Sequence, residues 1–312
     1  MDHTAVTCLV VIILEAITGF LMNGFIVLVI FCNWLKGEIT ASVNKILVAL
    51  SISNMCFAAV SLTCILISVF WPPIHHYGNV VLFWMIMFWL TSCSWLTACL
   101  SSFYFIKIVN FSSGFLSWVK VRIDSAAHWL ILVSEVVSLC CMFIGFIAVA
   151  FYVVQTQGIF TNSSIILSTN RTKAIYAILS LFQRVFVILL LFNLVPFLIM
   201  TITTFCTVGF LRMHIYRIQR SIGSSSNLES HHGVVTTMTK LLLFYLFFYV
   251  AVFAYPYIYA ELPYYSYYIY QILSPAFPLI QFALLIRANP RLKEAWHQIF
   301  LYLKRHSEKV IF

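Results

Sequence analysis

The chain is poor in charge and poorer still in acid. Lysine, arginine, aspartate and glutamate together make 9% of its 312 residues, with 9 acidic against 18 basic side chains. A chain of this length that closed a water-soluble core would need far more polar surface, so a soluble globular fold is excluded. Long polar stretches are also missing, which leaves no separate soluble domain and predicts a single domain over residues 1–312. No basic n-region precedes the first apolar run and no small-residue cleavage site follows it, so that run is expected to direct its own insertion. One half of the chain does not repeat the other, which weighs against a transporter built from repeated halves. Catalytic constellations are absent too. Histidines are scattered, carboxylates are dispersed, and there is neither a phosphate-cradling glycine loop nor a cluster of metal ligands. The adjacent His75 and His76 do not share a helical face. The reading is a non-enzyme that carries no cofactor and no metal.

What is present is hydrophobic: 62% of residues are apolar and the mean hydropathy is +1.00. Seven apolar runs each reach the roughly 20 helical residues that a hydrocarbon core requires. They cover approximately residues 5–32, 43–70, 80–109, 126–154, 181–211, 241–262 and 264–287. Their apolar character is continuous, whereas barrel strands alternate and are about half as long. The predicted fold is an all-α membrane protein, a seven-transmembrane helix bundle. After Asn289-Pro290 a short amphipathic helix is expected over about 290–304, with Leu292, Trp296, Ile299 and Leu303 on one face against the inner leaflet.

Orientation follows from the basic residues. Of the 18, all except Arg171, Lys173 and Arg184 fall in loops or at span ends on one side of the predicted membrane. The positive-inside rule then puts the N terminus outside and the C terminus in the cytoplasm. The net charge of +9 is accounted for by topology; split among short loops, it forms no nucleic-acid footprint. The basic ends of the loop between spans five and six suit either anionic lipid or an acidic partner.

Polar residues inside the spans are few and therefore informative. Span one carries Glu15 and Asn23, with Gly19 and Gly24 allowing close helix approach; span two carries Ser51, Ser53 and Asn54 at matching depth. An Asn23–Asn54 hydrogen bond is expected to lock the two. Glu135 lies in span four, and Asn193 and Pro196 lie in span five, where a kink is expected. The stretch Trp71 to Tyr77 reads as an outer loop, and the longest outer loop runs from Gln155 to Ser180. That loop holds two glycosylation sequons, at Asn162 and Asn170; a third at Asn110 falls on the cytoplasmic side. All 9 cysteines lie in or beside apolar runs, so none can tie the long loop to span three, and they read as packing residues. Tyrosines crowd the outer ends of spans six and seven. Some belong to an interfacial belt, while others, with Gln271 and Ser274, suit a mostly apolar cavity for a small amphipathic ligand.

Four segments carry a family resemblance. Residues 19–36, GFLMNGFIVLVIFCNWLK, and 95–111, WLTACLSSFYFIKIVNF, closely resemble spans one and three of the bitter taste receptors, the type 2 taste receptor family of G-protein-coupled receptors. Residues 47–53, LVALSIS, resemble its second-span signature, and 289–293, NPRLK, the end of its span seven. A rhodopsin-like receptor would show an acid-Arg-Tyr triplet, an N-P-x-x-Y run and a loop disulfide, and none is present. No lysine lies between 264 and 286 to hold retinal.

The resemblance implies capture of small, mostly apolar bitter compounds between spans three, five, six and seven. Positions carried over to that pocket are Ile86, Leu90, Tyr249, Phe253, Tyr267, Gln271 and Ser274. Tyr104, Lys107, His214 and Lys240 would face a gustducin-like heterotrimeric G protein at the plasma membrane; a monomer and an oligomer both fit. The chain also departs from the family. It has Asn54 where arginine is usual, Gln281 and Phe282 where His-Ser is common, and Leu90 and Ile86 where asparagine and tryptophan often line the pocket. A type 1 vomeronasal pheromone receptor is the runner-up, opposed by FYFIKIVNF at 103–111. A seven-span transporter or channel would have only Glu15, Glu135 and Arg184 as charge well within its spans.

Overall fold

A computed structural model describes residues 3–37, 41–70, 72–109, 114–161, 191–210, 239–252 and 263–311, with single residues at 187, 213, 236 and 254. The described residues form helices and no strand. In chain order these are α1 (His3–Leu35), α2 (Ser42–Phe70), α3 (Pro72–Ile108) and α4 (Gly114–Thr161). They continue with α5 (Leu191–Phe210) and α6 (Thr239–Val252), then α7 (Pro263–Ala288) and α8 (Pro290–Ile311). Five of them, α1 to α5, are long and apolar enough to cross a bilayer; α6 is a shorter apolar helix, and α7 bends by 107° into α8.

Three boundaries differ from those expected. Helix α3 begins at Pro72, so most of the stretch read as an outer loop is its first turns. Proline is tolerated there, since the first amides of a helix have no intrahelical partner anyway. Helix α4 runs from Gly114 to Thr161, beyond 126–154 at both ends, because no proline interrupts it and a span longer than the bilayer can project from it. Helix α8 continues to Ile311 rather than 304. The sequons at Asn162 and Asn170 lie outside the described residues, as does most of the long loop that contains them.

The bundle is apolar outside, and its apolar core encloses a set of polar side chains. On α1, Leu14, Leu21, Leu28 and Leu35 form a stripe at seven-residue spacing, 59–65% exposed. Trp129, Leu132, Val136 and Phe143 do the same on α4, and Leu198, Ile202 and Phe205 on α5. Buried instead are Asn23, Ser51, Asn54, Ser92, Ser94, Thr97 and Gln281, each at 0% exposure. A bilayer selects this arrangement, because lipid solvates leucine as well as a core does and offers polar groups nothing. Helix α3 is the most enclosed span, and of residues 90–98 only Trp95 is less than buried.

A thread of hydrogen bonds crosses four helices. Asn23 Nδ2 donates to Gly19 O at 2.9 Å and to Pro278 O on α7 at 3.1 Å. Asn54 Nδ2 on α2 donates to Asn23 Oδ1 at 3.1 Å, and Cys93 Sγ on α3 lies 3.2 Å from Asn54 Oδ1. Helices α1 and α7 lie close at Gly19, where a β-carbon would come into ordinary van der Waals contact with Pro278 Cβ at 3.4 Å. Below the bundle, Asn289 turns the chain. Its Oδ1 accepts the amides of Arg291 at 3.1 Å and Leu292 at 3.4 Å, an N-cap with Pro290 at the first helical position. Leu292 is buried, and Trp296 packs edge-on to Phe25 of α1 at 5.2 Å and Phe282 of α7 at 5.6 Å. Ile299, from the same expected face, is exposed.

Interhelical hydrogen bonds in membranes average about 0.6 kcal/mol and reach about 1.7. Asn54→Leu removes two of them and orphans Asn23 Oδ1, so it is expected to cost roughly 1–3 kcal/mol. A double Asn23→Leu, Asn54→Leu variant should lose less than the two single losses summed, measured by thermal unfolding in detergent. Gly145→Ala should lower the melting temperature clearly, because its β-carbon would enter the ring of Trp84, which is 2% exposed. Gly209→Ala in α5 meets nothing within 4 Å and should be neutral or mildly stabilising.

Candidate functional site

The site is built on the face that α3 turns towards α5, α6 and α7. Ile86, Leu90 and Ser94 follow one another at four-residue spacing, so they lie on one side of the helix. Ile86 is half-buried and Leu90 is buried. Ser94 Oγ donates to Leu90 O at 2.8 Å, the back-bond a mid-helix serine makes when no other acceptor is near. Its lone pairs then receive Tyr249 OH from α6 at 2.8 Å. Leu90 and Tyr249, two of the expected ligand contacts, are thereby joined through Ser94. Asn193 of α5 lies beside them, with Oδ1 3.4 Å from Tyr249 OH and Nδ2 3.4 Å from Thr91 Oγ1. Phe197 packs edge-on to Tyr249 at 5.9 Å. Ser274 of α7 is buried. Tyr267 and Gln271 are placed on α7 by their backbone, four residues apart, while their side chains and Phe253 lie outside the described residues.

One turn deeper is a second polar layer. Thr97 Oγ1 donates to Cys93 O at 2.7 Å and lies 2.8 Å from Tyr245 OH. Tyr245 OH is also 3.1 Å from Cys93 O. Gln281 Nε2 on α7 reaches Thr97 Oγ1 at 2.9 Å and Tyr245 OH at 3.0 Å. An amide nitrogen carries two hydrogens, so Gln281 can serve both hydroxyl oxygens at once. These bonds tie α3, α6 and α7 together where all of the side chains are fully enclosed. Around them Phe277 of α7 is gripped by Phe248 at 4.6 Å, Phe244 at 5.3 Å, Tyr245 at 5.5 Å and Phe57 of α2 at 5.7 Å. Aromatic pairs at such distances add about 0.5–1.5 kcal/mol beyond their buried area.

At the C-terminal end of α3, Lys107 Nζ pairs with Asp124 Oδ1 of α4 at 3.0 Å and lies 4.9 Å from the Phe103 ring centroid. Ser42 Oγ donates to Asp124 O at 3.0 Å, which brings α2 to the same corner. Both charged side chains are about half exposed, so the pair positions the helices more than it stabilises them. Tyr104 packs half-buried against the core, Lys240 is exposed at the start of α6, and His214 lies outside the described residues. Of the four expected coupling residues, Lys107 is thus held by α4 and Tyr104 turns inward.

The sequence reading passed over the second layer. Thr97 and Tyr245 are unremarkable residues in apolar runs, and Gln281 figured only as a family departure. The available signal was spacing: Thr91, Ser94 and Thr97 recur every three residues on α3, and Tyr245 and Tyr249 are one turn apart on α6.

Comparison with known proteins agrees with this architecture. The family model described as taste receptor protein (TAS2R) matches residues 1–304. Taste receptor type 2 member 39 of Macaca mulatta is 29% identical over 310 residues, covering 95% of this chain and 88% of the relative. Taste receptor type 2 member 8 of Homo sapiens is 27% identical over 247 residues, 76% of each. Member 8 of Pongo pygmaeus is 26% identical over 242 residues, again 76% of each. With nearly the whole chain matched, the protein belongs to the taste receptor (TAS2R) family: it is a multi-pass seven-transmembrane bitter taste receptor of the G-protein-coupled type.

Proposed function

We propose that small, mostly apolar bitter compounds enter from the extracellular side and contact Ile86, Leu90, Tyr249, Phe253, Tyr267, Gln271 and Ser274. Bound there, they favour a state in which the inner ends of α5 and α6 move and a gustducin-like heterotrimer docks on Tyr104, Lys107, His214 and Lys240. The N terminus is extracellular, the C terminus is cytoplasmic, and the receptor works at the plasma membrane, as the distribution of basic residues favours. The carrying observation is the pair of tyrosines one turn apart on α6, each hydrogen-bonded to α3: Tyr249 to Ser94 in the proposed pocket, and Tyr245 to Thr97 beneath it. A ligand that competes for Tyr249 acts directly on the helix that has to move.

The energies are compatible. Parting α6 from α3 and α7 gives up the Tyr249–Ser94 bond, the single bond that Tyr245 O–H can donate to Thr97 or Cys93 O, and the bond it accepts from Gln281. At about 0.6 kcal/mol each, these three cost roughly 2 kcal/mol. An agonist with about a hundredfold preference for the open state offsets that much, and one binding both states equally shifts nothing. Lys107 would have to exchange Asp124 for the G protein, a small cost for a half-exposed pair.

The test is a calcium response in cells expressing the chain with a promiscuous G protein, over a broad panel of bitter compounds. At least one agonist is expected. Tyr249→Phe and Gln271→Ala should each shift its potency at least fivefold at unchanged surface level. Silence across the panel with surface expression verified would count against the reading, and unchanged potency for several agonists would remove that residue from the pocket.

A further inference from the structure

Glu135 has no part in ligand capture or coupling as proposed above, yet it sits in the membrane-spanning part of α4. Its neighbours Leu132, Val136 and Leu139 face lipid, while Ser134 and Ser138 are buried. Its Oε1 lies 2.7 Å from Ser92 Oγ on α3. Ser92 Oγ lies 2.9 Å from Ser53 Oγ on α2, and Ser53 Oγ lies 3.1 Å from Ala49 O. Ser92 is 0% and Ser53 2% exposed, so both hydroxyls are sealed from solvent.

The hydrogens in this chain can be counted. It has three links: carboxyl to Ser92, Ser92 to Ser53, and Ser53 to the Ala49 carbonyl. A carbonyl is a pure acceptor, and so is an ionised carboxylate, whereas each serine hydroxyl supplies a single hydrogen. With Glu135 ionised, two hydrogens would have to serve three links, and one pair of oxygens would face each other with lone pairs only. With Glu135 protonated the count closes. Its O–H donates to Ser92, Ser92 to Ser53 and Ser53 to Ala49 O, all in one direction, and 2.7 Å is an ordinary O–H···O distance in either sense.

Solvation points the same way. No lysine, arginine or histidine among the described residues is in ion-pair contact with Glu135. Among the described residues, the thiols of Cys56 on α2 and Cys93 on α3 lie near it, and neither supplies positive charge. An unpaired carboxylate at this depth costs several kcal/mol, about 2.5–3.5 even on the most lenient scale.

We infer that Glu135 is a proton-binding site inside the membrane: its carboxyl is held as the neutral acid, and the bound proton completes a one-way hydrogen-bond chain that clasps α4 to α3 and α2. Proton loss would break a link and place a bare charge at the lipid edge, so the clasp and the proton are held together. The inference does not depend on the proposed ligand or G protein.

The test is infrared difference spectroscopy of the purified receptor in lipid nanodiscs at neutral pH, wild type against Glu135→Gln. The variant should lose a protonated-carboxyl C=O stretch that shifts in heavy water; loss of a carboxylate band pair instead overturns the inference. Should Glu135→Gln not fold, Ser92→Ala serves. It should displace the protonated-carboxyl band, and displacement of carboxylate bands alone overturns the proposal. Glutamine can donate as the neutral acid does, so Glu135→Gln should keep the wild-type melting temperature and Glu135→Leu should lower it. Equal losses in both would contradict the donor role.

Discussion

Hydrocarbon cannot hydrogen-bond, and the architecture follows from that constraint. A polar side chain placed in a span is stabilised by a partner on its own helix or the next one, so those that find one help decide which helices meet and at what height; Ser51 Oγ, Trp95 Nε1 and Gln281 Oε1 are among the buried atoms that find none. Among the described residues, most hydrogen bonds between helices involve α3. Ser92 faces α2 and α4, Cys93 faces α2, Ser94 and Thr97 face α6, and Thr91 faces α5. Singly these bonds are weak, about 0.6 kcal/mol on average. Their contribution is registry: a one-residue slide of α6 along α3 would leave Tyr245 and Tyr249 with buried and unpaired groups. Bulk packing, carried by rings such as Phe277 and Trp84, is more tolerant of such slides.

The fold was largely legible in the sequence, and the reasons lie in particular residues. Continuous apolar runs and the one-sided distribution of lysine and arginine are properties of composition along the chain, and bilayer physics converts them directly into spans. The bond between Asn23 and Asn54 could be anticipated because two isolated asparagines at one depth have few other choices. Helix ends were less legible: Pro72 and Pro73 look like a loop, yet proline opens a helix as readily as it ends one. The Thr97–Tyr245–Gln281 layer escaped because threonine and tyrosine are common in apolar spans and only the tertiary meeting of three helices gives them a role. The hydrogen count at Glu135 likewise needs distances that no spacing rule supplies.

The two polar layers differ in what they leave open. The upper one, around Tyr249, Ser94 and Asn193, includes contacts of 3.4 Å and borders the proposed pocket, so a ligand's own donor or acceptor can replace its partners at little cost. The lower one, around Tyr245, is sealed on all sides and its contacts are shorter, 2.7 to 3.1 Å. In the proposed mechanism specificity belongs to the upper layer, where Leu90 and Ile86 leave the α3 wall of the proposed pocket apolar. In the proposed mechanism resistance to activation belongs to the lower layer, and Gln281 contributes to it by bonding both hydroxyls.

That division of labour can be tested in one measurement, ligand-free signalling of Tyr245→Phe, Gln281→Leu and their double variant, normalised to surface level. If the lower layer holds α6 against α3 and α7, each single variant should raise basal signalling several-fold, and the double should exceed the larger single effect only slightly, because both remove the same bonds. Basal signalling that stays at the wild-type level or falls in the single variants, or effects that multiply in the double, would contradict the account.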